Sequence, residues 1–169
     1  IVKPRSLYLL DEPLTNLDMM DRIQLRAELK RFVRMLKQTI VYVTHDQTEA
    51  MTVADKIVVM NKGEMQQYDI CENVYNKPAN KFVAWFIGTP GMNLLDCTYL
   101  PEKRVIEGGP ISLPVPENLA RVLDSRSATE IILGIRPEDV LVGRKEANAV
   151  EASVITTEIV GDTTVATLK

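Results

Sequence analysis

The sequence predicts an α/β fold over its first half and a small β-rich barrel region over its second half. Two observations support this division. Strand-like and helix-like patterns alternate over residues 1 to 87, where glycine occurs only once, at Gly63. From Gly88 onward the chain holds the other seven of its eight glycines and six of its nine prolines, with short β-rich runs between them. This change in composition predicts a domain boundary near Gly88.

Composition and charge exclude several classes of protein. Of the 169 residues, 46% are hydrophobic and 25% charged, an ordinary balance for a chain that buries a core. The formal net charge is −3, so no general positive field attracts nucleic acid, and we predict no nucleic-acid partner. No apolar run approaches the roughly 18 residues of a membrane span. Cys71 and Cys97 stand in no metal-ligand spacing, which favours a reduced, cytosolic protein.

The first predicted strand ends in two carboxylates. Residues 7 to 10 form an unbroken apolar run, which is typical of a strand covered on both faces in a parallel sheet. Asp11 and Glu12 follow at once, and Pro13 prevents continuation of the strand. Ligands of open α/β sheets bind at the carboxyl ends of strands, so one acid can serve Mg²⁺ and the other can orient a water molecule. A solvated turn explains these residues equally well.

An amphipathic helix is predicted next. Apolar residues recur at helical spacing and predict a buried stripe, formed by Leu25, Leu29, Phe32, Val33 and Leu36. Asp18 and Asp21 lie near the helix start, where carboxylates cap free amides and match the helix dipole.

A second predicted strand, residues 39 to 43, also ends in polar residues, among them His45, the only histidine of the chain. A lone histidine is more often structural than functional. Two parallel strands joined by a helix, however, deliver their polar ends to the same edge of a sheet. We therefore expect His45 to reach the crevice that holds Asp11 and Glu12.

The remaining elements are read from local patterns. In the first half we expect a helix over residues 47–54, a hairpin of strands 56–61 and 64–68 that turns at Gly63, and helices over 69–75 and 80–87. In the second half we expect strands over residues 111–115, 130–135, 150–160 and 163–168. Aromatic residues that could stack on bases are sparse there, since Tyr99 is the only one after Phe86.

These residues resemble a known family. "LYLLDEP" resembles the Walker B strand of ABC-type ATPases, "LTNLD" resembles their D-loop, and "VYVTHDQTEAM" resembles their switch-histidine segment. "KFVAWFIGTPGMNLL" is similar to the junction after the ATPase domain in importers of the maltose and multiple-sugar type. "LGIRPEDV" is similar to the start of their C-terminal regulatory region, the TOBE-type region built of OB-like barrels.

The resemblance implies a fold and a site. Residues 1–88 would be the C-terminal portion of the ATPase domain, with part of a P-loop NTPase parallel sheet, and residues 89–169 the OB-like regulatory region. Asp11 would bind Mg²⁺, Glu12 would be the general base, and His45 would contact the γ-phosphate of ATP. Three residues of the D-loop would bind near the nucleotide and reach the second ATPase subunit of a homodimer: Asn16, Leu17 and Asp18.

Two phosphate-binding elements of the family are not found in the sequence: the G-x-x-x-x-G-K-[ST] loop and the Leu-Ser-Gly-Gly-Gln signature. The family places both before the Walker B strand, so we expect a C-terminal fragment that is not competent alone. We also expect an incomplete barrel region, because the chain ends at Lys169 within a predicted strand. A partial sheet would expose apolar faces and favour self-association.

The resemblance implies the ATP-hydrolysing subunit of an ABC importer for carbohydrates. This subunit would bind integral permease subunits at the cytoplasmic face of the cell membrane. One alternative is an importer of polyamines or other solutes. A second alternative is a chromosome-organising or repair ATPase, which "LGIRPEDV" disfavours. A third is that the 169 residues act as a dimerisation and regulatory module without catalysis.

Overall fold

The computed structural model describes residues 7–36, 38–143 and 149–169. The side chains of Met19 and Leu36 lie outside this description, and so does the predicted burial of Leu36. The chain divides into two compact units, Ile1–Gly88 and Thr89–Lys169. The first unit mixes helices and strands, and the second is rich in strands.

The first unit begins with a β-α-β arrangement. Strand β1 (Leu7–Asp11), helix α1 (Met19–Leu36) and strand β2 (Thr39–Val43) follow one another. The strands pair in parallel, with Leu7 opposite Thr39 and Asp11 opposite Val43. The parallel sheet has two strands in the described residues, so a wider P-loop NTPase sheet is not shown.

Apolar side chains of this arrangement lie open to solvent. The side chain of Leu9 in β1 is 72% exposed, and Val41 and Val43 in β2 are exposed as well. The prediction that β1 is covered on both faces is therefore wrong for this chain, whereas the exposure expected of a partial sheet is confirmed. The predicted burial of the α1 stripe is wrong for Phe32, which is 55% exposed, and for Leu25, which is exposed too, whereas Leu29 and Val33 are half-buried. Within the described residues no second layer covers these faces.

The rest of the first unit forms a hairpin with three short helices. Its elements are α2 (Gln47–Val53), β3 (Lys56–Asn61), β4 (Glu64–Ile70), α3 (Cys71–Asn76) and α4 (Lys81–Phe86). Lys62 and Gly63 both have positive φ, 49° and 82°, as a tight two-residue hairpin turn requires. The predicted helix over residues 69–75 is wrong at its start, because Asp69 and Ile70 pair with β3 and extend β4.

The core of the first unit lies between the hairpin and its helices. Its buried residues are aliphatic and lie in β3, in α3, in α4 and directly after α4: Ile57, Val59, Val74, Val83 and Ile87. Partly buried residues of α2, among them Ala50 and Met51, pack against them. The segment that follows His45 is thereby anchored to a well-packed core.

The second unit contains a four-stranded antiparallel sheet of order β7-β6-β5-β8. Its elements are β5 (Asn93–Leu100), β6 (Val105–Gly108), β7 (Ile111–Pro114), α5 (Glu117–Ser125) and β8 (Glu130–Ile135). The core joins the sheet to α5 through Cys97, Tyr99, Ile106, Val115 and Ala120. The sequence patterns predicted β7 and β8 but missed β5, β6 and α5.

A separate antiparallel hairpin follows a short 3₁₀ turn (Pro137–Asp139). It consists of β9 (Val154–Val160) and β10 (Thr163–Leu168). The strand predicted over residues 150–160 therefore starts later than expected, although Ser153 and Lys169 still exchange two backbone hydrogen bonds of 2.8 and 2.9 Å. No helix in the described residues is long and apolar enough to cross a bilayer.

Candidate functional site

The candidate site lies where β1 and β2 end side by side. The amide of Glu12 donates a 2.8 Å hydrogen bond to the carbonyl of Val43, so the strand ladder runs one residue past Asp11. Glu12 then takes a left-handed backbone conformation, with φ of 43°, which is uncommon for a residue other than glycine. The chain turns sharply there, and the carboxylate is directed toward the end of β2.

Glu12 and His45 are in direct contact. Nδ1 of His45 lies 3.2 Å from Oε1 of Glu12, and the Thr15 hydroxyl donates to Oε2 of the same carboxylate, also at 3.2 Å. The hydrogen bond from His45, followed by that from Thr15, lowers the pKa of the Glu12 carboxyl. The side chains of His45 and Glu12 are 66% and 44% exposed, so a ligand or a water molecule can reach both.

The other predicted site residues lie beside this pair. Asp11 is the exposed last residue of β1. Asn16, Leu17 and Asp18 belong to the β1–α1 turn, which we define as residues 12–18, and Asn16 is exposed. Asp18 caps α1, because its Oδ1 accepts a 3.0 Å hydrogen bond from the Asp21 amide. That hydrogen bond lowers the pKa of Asp18 and confirms the predicted capping role.

Asp11 is the predicted protein ligand of Mg²⁺. Among the described residues no three His, Cys, Asp or Glu side chains converge as a ligand set. Mg²⁺ nevertheless keeps several water ligands and is often held by one or two carboxylates together with the phosphates of a substrate. An exposed carboxylate at the end of a strand fits that mode of binding.

A buried carboxylate that the sequence analysis did not identify lies beside the end of β2. The side chain of Glu49, in α2, is 3% exposed. It accepts hydrogen bonds from the hydroxyl groups of Tyr42, at 2.9 Å, and Thr44, at 2.7 Å. Burial, followed by the hydrogen bond to Glu49, raises the pKa of Tyr42. Glu49 therefore fixes the two residues that flank the last position of β2.

Asp46, the neighbour of His45, is held from several directions. Its Oδ1 accepts from the Glu49 amide at 3.0 Å and so caps α2. Its Oδ2 lies 3.7 Å from a guanidinium nitrogen of Arg22 and 3.5 Å from one of Arg26. Its amide donates to the Thr44 hydroxyl at 3.0 Å. His45 thus sits between two residues whose side chains are fixed.

One sequence signal could have revealed this support. An Asp followed three residues later by Glu, ahead of apolar residues, is a helix N-terminal signature, and Asp46 and Glu49 have that spacing. No comparable local signal identifies Arg22 and Arg26, because the contact depends on how α1 packs beside α2.

Comparison with known proteins gives a consistent result. Residues 88–140 match the family described as MalK OB fold domain. The chain is 44% identical over 163 residues to the uncharacterized ABC transporter ATP-binding protein YcjV of Escherichia coli O6:K15:H31 (strain 536 / UPEC), covering 95% of this chain and 45% of the relative.

Two relatives carry the name of a transported solute. The multiple sugar-binding transport ATP-binding protein MsmK of Streptococcus mutans serotype c is 40% identical over 186 residues, covering 100% of this chain and 49% of the relative. The trehalose/maltose import ATP-binding protein MalK of Thermococcus litoralis is 48% identical over 141 residues, covering 82% and 38%. The chain spans less than half the length of these curated relatives.

Proposed function

Because the chain is 40% to 48% identical to ABC transporter ATP-binding proteins over at least 82% of its length, we propose that it belongs to their family and carries the water-activating part of an ATP-hydrolysing site. The observation that carries this proposal is the 3.2 Å contact between Glu12 and His45 at the ends of two parallel strands. A carboxylate held in this position can orient a water molecule and accept its proton.

The residues divide the chemistry between them in this proposal. Glu12 orients the attacking water, and His45 both orients Glu12 and contacts the γ-phosphate. Asp11 would hold Mg²⁺, which would supply neutralisation of the charge on the phosphates of ATP. Phosphoryl transfer depends mainly on positioning and charge stabilisation, so the fixed placement of His45 between Thr44 and Asp46 is the protein's main contribution.

The two units receive different roles. We assign residues 1–88 to the C-terminal portion of the ATPase domain, with β1 and β2 as members of a P-loop NTPase sheet. The exposed apolar side chain of Leu9 supports this assignment, since it fits the face of a larger sheet. Residues 89–169 are assigned to the OB-like, TOBE-type regulatory region, in line with the family match over residues 88–140.

The proposed partners follow from the family. A second ATPase subunit would contact Asn16, Leu17 and Asp18 in the β1–α1 turn, and permease subunits would hold the dimer at the cytoplasmic face of the cell membrane. Carbohydrate is the proposed class of transported solute, supported by the names of two relatives. Polyamines or other solutes are the alternative class.

A second function is proposed for the 169 residues on their own: a dimerisation and regulatory module without catalysis. The openness of the site favours it, because more than half of His45 is exposed. Catalytic electrostatics are strong in enclosed sites and weak in water.

A calorimetric titration with Mg-ATP separates these proposals. The 169-residue chain is compared with a longer polypeptide that adds a G-x-x-x-x-G-K-[ST] loop. We expect binding and hydrolysis by the longer polypeptide only, with hydrolysis lost on Glu12→Gln substitution. Stoichiometric binding by the short chain would contradict the module proposal. Failure of the longer polypeptide to hydrolyse ATP would contradict the catalytic one.

A further inference from the structure

We infer that Arg22 is a positioning residue that joins the β1–α1 turn to the segment carrying His45. The Nη2 atom of Arg22 donates to the backbone carbonyls of Thr15 and Leu17, both at 3.3 Å. The other terminal nitrogen, Nη1, lies 3.7 Å from Oδ2 of Asp46. A single guanidinium therefore contacts the turn and the residue next to His45.

These contacts complete a ring of interactions. His45 contacts Glu12, Glu12 accepts from the Thr15 hydroxyl, and the Thr15 carbonyl accepts from Arg22. Arg22 pairs with Asp46, which is covalently joined to His45. Each link fixes the distance between two segments, so a movement of residues 15–17 is transmitted to Glu12 on one side and to Asp46 on the other.

Arginine is suited to this position by its geometry. Its planar guanidinium presents donors in fixed directions, whereas a lysine ammonium is a single point charge on a flexible stem. Nε of Arg22 is enclosed without an acceptor among the described residues, so the side chain is held through its terminal nitrogens. The side chain is 29% exposed, so water screens the 3.7 Å ion pair with Asp46.

Arg26 provides a natural control. Its Nη2 lies 3.5 Å from the same Asp46 oxygen, and its side chain is more buried, at 13% exposed. Within the described residues the hydrogen bond of Arg26 goes to Asp46, whereas Arg22 donates to the turn. Removing Arg26 therefore tests the loss of an Asp46 partner without loss of the turn contacts.

The contacts of Arg22 do not depend on the proposed function, but their inferred effect on ATP hydrolysis rests on it. Under that function the turn is the segment that reaches the second subunit through Asn16, Leu17 and Asp18. Arg22 would then link subunit contact to the placement of Glu12 and His45. Arg22 is not assigned a contact with the nucleotide or with the attacking water, and it acts through Glu12 and His45.

The first test uses the 169-residue chain and does not involve ATP. Carbonyl ¹³C shifts of Thr15 and Leu17 and imidazole ¹⁵N shifts of His45 are compared in Arg22→Gln, Arg22→Lys and Arg26→Gln. His45 is the only histidine, so its signals are unambiguous. We expect Arg22→Gln to change all three sets, Arg22→Lys to change both carbonyls, and Arg26→Gln to spare the carbonyls. Unchanged resonances of the first-unit core residues Ile57, Val59 and Val83 confirm that each variant is folded.

The second test measures hydrolysis by the longer polypeptide. We expect Arg22→Gln and Arg22→Lys to lower kcat about 10- to 100-fold with the KM for ATP unchanged, and Arg26→Gln to lower it less. Equal carbonyl shifts in the Arg22 and Arg26 variants, or none in either, would overturn the inference. If Glu12→Gln hydrolyses ATP normally, the proposed function fails instead, while the shift data still decide whether Arg22 holds the turn.

Discussion

His45 Nδ1 lies 3.2 Å from Glu12 Oε1, so the residue after β1 shares a hydrogen bond with the second residue after β2. The parallel register produces this contact, because Asp11 is opposite Val43 and both strands end at the same edge. The hydroxyl of Thr15 completes the coordination of the carboxylate. These two contacts orient the Glu12 carboxylate.

Replacement of Glu12 by glutamine tests the role of this carboxylate. The amide keeps the size of the side chain and loses the ability to take a proton. In the longer polypeptide we expect Mg-ATP affinity to be retained and kcat to fall about 10²- to 10⁴-fold, the usual contribution of a general base. Calorimetry and steady-state hydrolysis measure the two quantities. Glu64→Gln, on an exposed residue of β4, is the control, and equal kcat values for both variants would exclude Glu12 as the base.

The pH response of the Glu12 carboxyl is the second prediction. Its folded-state pKa lies below the ordinary value, chiefly because of the hydrogen bond from His45. The contact therefore stabilises the fold above the ordinary carboxyl pKa, and this contribution is lost as pH falls through the lowered pKa. A ¹³C titration of the carboxyl should show a higher pKa in His45→Ala and a smaller rise in Thr15→Val. Identical curves for the three proteins would contradict the assignment.

The strand ends could be predicted from the sequence because they depend on local pattern. The apolar runs of β1 and β2 and the polar residues that follow them predict two parallel strands with their ends together, and the structure brings Glu12 and His45 into contact. The roles of these residues in hydrolysis stay predictions. The support from Arg22 and Asp46 could not be predicted, since it depends on the packing of α1 beside α2.

The third prediction concerns the buried Glu49. Glu49→Ala leaves the half-buried hydroxyl groups of Tyr42 and Thr44 without their acceptor, and the loss of hydrogen bonds of about 0.5–1.5 kcal/mol each should lower the unfolding free energy. Glu49→Gln keeps an acceptor and should cost less. Urea unfolding followed by the fluorescence of Trp85, the only tryptophan, measures the change.

Glu72 is a matched control for this experiment. Like Glu49 it lies in the first turn of a short helix, but its side chain is exposed. Glu72→Ala removes the same favourable interaction with the helix dipole, worth about 0.3–1 kcal/mol, without leaving a buried donor. If Glu49→Ala and Glu72→Ala destabilise the chain equally, the buried hydrogen bonds contribute nothing measurable.

The second unit shows why some elements escaped prediction. In β5, Cys97 and Tyr99 are buried and Asp96 and Thr98 are exposed, a period of two that is visible only over four residues. Helix α5 follows Pro114 and Pro116, which favour a turn in a local reading. Its burial against the sheet, with Ala120 1% exposed, is a tertiary contact that a local pattern does not contain.

The fourth prediction contrasts two glycines in the sheet of the second unit. A Cβ at Gly108 would lie 2.5 Å from Cys97 Sγ and 3.0 Å from the backbone oxygen of Asp96, so Gly108→Ala should cost about 1–3 kcal/mol. At Gly134 the Cβ would clash with the flexible end of Met92, which can rotate away, and would lie in ordinary contact with Leu94, 3.7 Å from its Cδ2. Gly134→Ala should therefore cost less. Urea titrations monitored by the Tyr99 amide resonance compare them, and a larger loss in Gly134→Ala would contradict the argument.

The final prediction concerns two glutamines, each of which forms hydrogen bonds to a loop through both the nitrogen and the oxygen of its side-chain amide. Gln47, in α2, donates to the Phe86 carbonyl at 2.5 Å and accepts from the Gly88 amide at 2.8 Å. Gln67, in β4, donates to the Lys77 carbonyl at 3.1 Å and accepts from the Ala79 amide at 2.8 Å. Gln47 thus ties the helix that follows His45 to the last residue of the first unit.

Because the two glutamines act alike on different loops, each serves as the control for the other. Loss of one hydrogen bond of about 0.5–1.5 kcal/mol should speed exchange of the released amide about 2- to 10-fold. Gln47→Ala should accelerate exchange at Gly88 and leave Ala79 unchanged, and Gln67→Ala should do the reverse. Amide hydrogen exchange followed by NMR measures both positions in one sample. Acceleration at both amides in either variant would show general loosening of the unit, and the local role of Gln47 would then be rejected.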